Sequence, residues 1–345
     1  MIQNLLKGKS IIIAIPNDFG LPGMFKENLE FLGMKVYALD HSQNHQSISL
    51  SDKIKHIQRK IFNSDRTYKS IARENNRLKT EKGLHLNFLN SLEEKTDYAL
   101  ILRPDLLNDE VIQKIKHSTK KLVGYQWDGL KRYPGIYKKL DFFESFFVFD
   151  PEDLAFNANF KLMTNFYFDY DLKVNENPGK DVFFIGSHIE GRMPLLMEIC
   201  SFLKKAGFKI DINVMGSSKK YAAAHSETGI TFIKEIFDFK KNYRRIENSA
   251  SILDLLNDVH IGLSLRTFEA IGFRKKLITN NIQVTNYDFY NKNNIFVLGE
   301  RPLEELKSFL STPYENLDRD INTKYSFTNW LANILNLPGH NPIIK

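Results

Sequence analysis

The chain reads as an α/β protein built from two successive open, parallel sheets facing across a cleft. Three observations predict this. Runs of β-branched and aromatic residues alternate with helical stripes along most of its length. A polar, turn-rich stretch, "DYDLKVNENPGK" at 169–180, interrupts the alternation near the middle. A length of 345 residues is enough for two ordinary domains. The expected organisation is a first Rossmann-like domain over 1–170 and a second over 180–322. Residues 323–345 form a C-terminal helix and tail placed to pack back on the first domain.

In order, "KSIIIAIP" is a buried-strand run, and the residues before it lack a signal-peptide cleavage pattern. A helix over 22–32 and the strand "MKVYALD" follow. Residues 51–80 read as one long helix with Ile54, Ile57, Ile61, Tyr68, Ile71 and Leu78 on its apolar stripe. Next come the strand "DYALILRP", a helix over 108–117, the strands "KLVGYQWD" and "FFESFFVFD", and a helix opening at Pro151. The second series runs "KDVFFIGS", helix 190–206, "FKIDINVMG", helix 237–248, "ASILDLL", short helix 264–272, "KKLITNN" and "NNIFVLG". Helices over 301–310 and 326–335 close the chain. Two such sheets place a ligand outside the carboxyl ends of their strands.

Composition narrows the class. Hydrophobic residues at 42% and charged residues at 26% are those of a soluble globular protein. The single cysteine, Cys200, excludes an internal disulfide and fits a reducing, cytoplasmic setting. No apolar run is long enough to span a bilayer. The net charge of +7 is local, because residues 51–82 hold ten Lys/Arg against four acids. That segment reads either as a solvated face or as an attractor for an anionic acceptor or the acidic inner face of a membrane. It lacks a groove-reading motif or aromatic platform, so no nucleic-acid partner is expected.

Two motifs suit a phosphate-bearing ligand. In "VFFIGSHIEGRMPLL" a strand runs into Gly186-Ser187, and Arg192 falls in the first turn of the next helix. Backbone N–H groups there favour an anion, and an Arg adds a bidentate contact. Gly216 ends the following strand in the same way. In "HIGLSLRTFEAIGFRKKLITNN", Arg266 and Glu269 lie one helical turn apart with Thr267 between them. They are either a surface ion pair or a site in which the carboxylate accepts from ribose hydroxyls and the guanidinium faces phosphate. Asp169 and Asp171 read as a solvated turn rather than a metal pair, and the His and Cys residues show no zinc spacing, so no metal is expected.

The segment "YRRIENSASILDLLNDVHIGLSLRTFEAIGFRKKLITNN", followed by "YDFYNKNNIFVL", resembles bacterial glycosyltransferases of lipopolysaccharide or capsule biosynthesis, relatives of CgeB-like spore-maturation glycosyltransferases. "GYQWDGLKRYP" and "SFFVFDPEDL" resemble blocks of their first half, and the likeness covers most of 97–300. It implies a GT-B fold with a nucleotide-sugar donor mainly on the second domain and a glycan or lipid-linked glycan acceptor, with no other cofactor. It also implies that Glu269 binds the donor ribose, with Arg266 near diphosphate or sugar. Position 262 is Gly where the commonest retaining pattern has a second Glu, so inversion and retention both stay open. An inverting transfer needs a carboxylate or His as base. Asp18, Asp128, and Asp40 with His41 stand at strand ends of the first domain, where each equally suits a turn or helix cap. The resemblance favours Asp128. The alternative is a non-catalytic nucleotide- or glycan-binding protein of a polysaccharide-building complex.

Overall fold

The computed structural model describes residues 2–17, 19–40, 51–56, 68–234, 237–256 and 260–344. The first sheet contains β1 (Ser10–Ile15), β2 (Lys35–Asp40), β3 (Tyr98–Leu102), β4 (Leu122–Gln126), β5 (Ser145–Val148) and β6 (Phe160–Leu162), in the order β2-β1-β3-β4-β5-β6. The second contains β7 (Lys180–Ser187), β8 (Ile210–Met215), β9 (Ile230–Ile233), β10 (Ser249–Asp254), β11 (Lys276–Thr279) and β12 (Ile295–Val297), in the order β12-β11-β10-β7-β8-β9. All pairs are parallel, with Ile13 opposite Leu100 and Phe183 opposite Ile252. Central strands such as β1 and β4 are buried along nearly their whole length, which is why they read as continuous apolar runs.

The helices are α1 (Ile2–Leu6), α2 (Leu21–Phe31), α3 (Tyr68–Asn90), α4 (Asp109–Ser118), α5 (Met193–Lys205), α6 (Lys219–Ala224), α7 (Phe239–Glu247), α8 (Leu265–Gly272), α9 (Glu305–Ser311), α10 (Arg319–Lys324) and α11 (Phe327–Ile334). Sequence patterning missed α1, β6, β9, α6 and α10. Each is six residues or fewer, too short to show a period.

The long basic helix differs from expectation. α3 runs to Asn90 and buries Ala72 near its start and Glu81, His85 and Leu89 at four-residue spacing in its C-terminal half. Ile54, placed on the stripe from sequence, is 57% exposed, and Ile57 and Ile61 lie outside the described residues. Two of the basic residues tie the helix to its neighbours: Arg77, paired within the helix with buried Glu81 at 2.5 Å, also donates to the Leu106 carbonyl at 3.2 Å, and Lys82 pairs with Glu110 at 2.5 Å. Lys53, Lys55 and Lys79 are exposed.

One apolar core runs through both sheets, including Ile13 and Leu100 of the first and Phe183, Ile252 and Leu277 of the second. Its seam is aromatic. Phe166 and Phe168, just before the second sheet begins, pack edge-on against Phe25 of α2 at 5.7 and 5.3 Å. Helix α11 returns to the first sheet. Trp330 packs against Tyr125 of β4 at 5.1 Å and donates its indole N–H to the Thr164 carbonyl at 3.0 Å. The Lys121 ammonium donates to the Leu335 carbonyl at 2.6 Å. Asp169, expected in a solvated turn, instead accepts the Thr328 N–H at 3.1 Å and so holds α11, with burial pushing its carboxyl up. Lys275 and Lys276 of the "RKK" run are buried structural donors. Lys275 donates to the Glu247 carbonyl at the end of α7, Lys276 to the Phe309 carbonyl in α9, and burial lowers both ammonium groups to about 8. No helix among the described residues is long and apolar enough to cross a membrane.

Candidate functional site

The carboxyl ends of both sheets open onto one cleft of about 520 Å³. Arg103 after β3, Trp127 and Asp128 after β4, and Phe149 after β5 line one wall. Gly186 and Ser187 of β7, Met215 of β8, Asp254 of β10 and the first turn of α8 line the other. Parallel strands all end on one side, so each strand-to-helix loop delivers a residue to the same place.

Helix α8 is anchored from below. Ser264 is its N-cap, accepting the Arg266 N–H at 3.0 Å, and its hydroxyl donates to Asp254 at 2.7 Å. Thr267 donates to the same Asp254 oxygen at 3.2 Å, so Thr267 is buried behind the helix and not on the cleft wall. One carboxylate at the end of β10 therefore fixes the helix's first turn against the sheet. At its other end, Gly272 is required, since a Cβ there would lie 2.5 Å from the Tyr167 ring.

Arg266 and Glu269 pair through Nη1 and Oε2, but not at the surface: the Glu269 side chain is 0% exposed and that of Arg266 19%. Glu269 nonetheless borders the cleft, and its Oε1 has no hydrogen-bond partner among the described residues. A buried acceptor left unpaired is costly, and such a group at a pocket wall marks a place for a donor. Burial raises the Glu269 pKa, Arg266 opposes the rise, and Asp254 adds to it.

Arg192 is placed differently from expectation. It lies under the Gly186–Ser187 turn and not on the wall, with Nη1 on the Leu255 carbonyl at 3.3 Å and Nη2 on the Ser187 carbonyl. A Cβ on Gly186 would meet its Nη2 at 2.7 Å, so the glycine makes room for the guanidinium that braces the turn. Gly216, at φ +86°, closes β8 one residue beyond the lining Met215. Asp128 is on the wall, and its carboxylate accepts the Gly129 N–H at 3.0 Å. Asp18 and His41 lie outside the described residues, and Asp40 closes β2 opposite Ile15.

Gly262, where a second carboxylate was sought, has no space for one. A Cβ there would stand 2.7 Å from the Phe149 ring and 2.8 Å from the Phe149 carbonyl. The same strip bridges the domains. Asp150 accepts the Ile261 N–H at 3.2 Å, and Asn165 donates to the Leu263 carbonyl at 3.0 Å.

Sequence reasoning passed over several wall residues. Asp254 and Arg103 carried a legible signal, being polar residues at the ends of apolar strands. His260 stacks edge-on with Phe149 at 4.9 Å and has a buried Nδ1 without a partner among the described residues. Asn242, buried on α7 with its Oδ1 likewise unpartnered, gave no signal, because only the approach of the two domains brings it to the cleft.

No family model and no curated protein matches the chain. Solved structures do. It is similar to the apo form of the lipopolysaccharide outer core galactosyltransferase WaaB (TM-score 0.51, 11% identity, 94% of this chain and 99% of that one). It is also similar to AviGT4, a glycosyltransferase involved in avilamycin A biosynthesis (TM-score 0.53, 8% identity, 95% and 96%). The apo structure of OtsA matches at TM-score 0.54 and 12% identity over 95% and 99%. At these identities the likeness is one of fold, and the chain has the GT-B architecture, two Rossmann-like domains facing across a cleft.

Proposed function

We propose that the chain is a glycosyltransferase that moves a sugar from a nucleotide-sugar donor to a hydroxyl of a bacterial lipopolysaccharide or capsular glycan, as a relative of the CgeB-like enzymes. The observation that carries the reading is the buried Glu269 carboxylate, with one oxygen held by Arg266 and the other unpartnered at the cleft wall. That oxygen suits the ribose hydroxyls of a nucleotide, and Arg266, which lines the cleft with the Gly186–Ser187 turn, suits its diphosphate. Arg192 contributes by bracing that turn. Departure of a nucleoside diphosphate needs charge stabilisation, which Arg266 and the strand-end N–H groups supply without a metal in this proposal. Asp128 on the opposite wall is the proposed base for the acceptor hydroxyl.

The exposed lysines Lys53, Lys55 and Lys79 support peripheral contact of a cytoplasmic enzyme with an anionic inner-membrane face. Phe149 filling the space at Gly262 keeps the non-catalytic reading as the alternative. A thermal-shift screen against nucleotides and nucleotide sugars, followed by transfer assays, separates the two, because a ligand of the folded state raises the melting point. Glu269→Gln keeps the volume and turns the free acceptor into a donor. It should weaken nucleotide-sugar affinity by roughly tenfold to a hundredfold, as expected for a lost hydrogen bond to a charged group. Unchanged affinity would remove Glu269 from the donor site.

A further inference from the structure

Helix α8 has a second charged end. Its eight residues span about 12 Å, with Arg266 in the first turn at the cleft and Arg274 just past the far end. There the chain leaves the helix through a cap in which the Lys275 N–H donates to the Ala270 carbonyl at 2.8 Å. Arg274 takes the left-handed backbone of that cap, φ 52°, where glycine is the favoured residue. A cavity of about 320 Å³ lies there, lined by Arg274, Leu317, Arg319, Asn322 and Thr323. Arg319 is the first residue of α10, the end at which a helix dipole disfavours a cation. Neither arginine side chain has a hydrogen-bond or ion-pair partner among the described residues. Asp318 and Asp320 flank Arg319 in the chain, yet neither lines the cavity. The other polar groups are already engaged. Asn322 donates its amide to the Ile271 carbonyl in α8 at 3.0 Å, and the Tyr167 hydroxyl donates to the Asn322 carbonyl at 3.1 Å. The Thr323 hydroxyl donates to the Arg319 carbonyl at 2.9 Å.

We propose that this cavity binds a phosphate group, free or on a lipid headgroup, with Arg274 and Arg319 on its oxygens. Two arginines that line one cavity repel each other, and each holds a place that local preference gives to another residue. A cation past the end of α8 suits that helix's dipole, but this accounts for Arg274 alone and not for its backbone. Breaches of local rules gather at functional sites, where a ligand supplies the partner that the fold does not. A phosphate dianion matches two positive charges and offers oxygens to two guanidinium forks. A carboxylate would neutralise one arginine only. The site stands at the opposite end of α8 from the cleft, so it does not depend on the glycosyltransferase reading.

Arg274→Gly makes the test direct, because glycine relieves the left-handed backbone while it removes the guanidinium. Without added anion this variant should melt at or above the wild-type temperature. Inorganic phosphate should raise the wild-type melting temperature, and sodium chloride at equal ionic strength should not. In calorimetric titrations with inorganic phosphate, Arg274→Gly and Arg319→Ala should each weaken affinity by about tenfold to a hundredfold, the loss of a charge-assisted hydrogen bond. Arg266→Ala alters the cleft instead and should leave the Arg274-dependent binding in place. Vesicles of phosphatidylcholine with phosphatidic acid identify the source. If they sediment the wild type and not Arg274→Gly, the phosphate belongs to a headgroup; if they do not distinguish the two while the titrations do, it belongs to a soluble compound. The proposal is overturned if chloride matches phosphate, if both Arg274→Gly and Arg319→Ala keep wild-type affinity, or if Arg266→Ala abolishes all phosphate binding, which would move the anion to the cleft.

Discussion

Gly262 and Phe149 meet so closely that no side chain fits between them, which makes this glycine a packing requirement across the domains. Gly262→Ala should push the Phe149 ring aside and cost about 1–3 kcal/mol, the usual range for overpacking; urea denaturation reads the loss. Asp153 offers a second test at this scale. It is 1% exposed, accepts the Leu130 N–H at 3.0 Å, and burial lifts its carboxyl to about 6. The folded pKa lies above the unfolded value of about 4, so the native state holds the proton more tightly. Stability should therefore fall as pH rises from about 4 to 6, by roughly 3 kcal/mol at most for two units. Asp153→Asn keeps an acceptor for Leu130 and should flatten that fall in a series of denaturation curves.

Among the elements, α8 shows what a sequence displays and what it hides. Its Ser cap, apolar face and Arg–Glu spacing are local, so its place and type were legible. The burial of the ion pair was not, because it depends on Asp254 and on the core beneath. The same division runs through the cleft. Strand ends announced Asp128, Gly186 and Ser187, while Arg192 turned inward because Gly186 leaves room for it. Of the stripe expected over 51–80, Ile54 is exposed, and the buried Glu81, His85 and Leu89 of α3 lie beyond that range, where no expected stripe reached. Ser264→Ala should cost about 1 kcal/mol as a lost N-cap. It also releases one of the two hydroxyls on Asp254, so nucleotide affinity should fall together with the melting temperature. A fall in melting temperature alone would separate α8's anchoring from ligand binding.

For the whole molecule, the aromatic seam decides how the halves behave. One apolar core spans both sheets, so heat should unfold the chain in a single transition with no separate melting of either domain. Trp330→Ala removes the ring that touches Tyr125, Phe25 and Phe166. It should destabilise by about 3–5 kcal/mol, and calorimetry should still show one peak, shifted down. Independent peaks in the wild type would contradict the shared core. The position of α11 also bears on synthesis. Domains commonly fold in order as the chain emerges from the ribosome, but here the first domain lacks Phe327 and Trp330 until the second sheet has been made. Its aromatic face must wait, uncovered, through the translation of the entire second domain, and that interval is when the nascent chain most needs a chaperone.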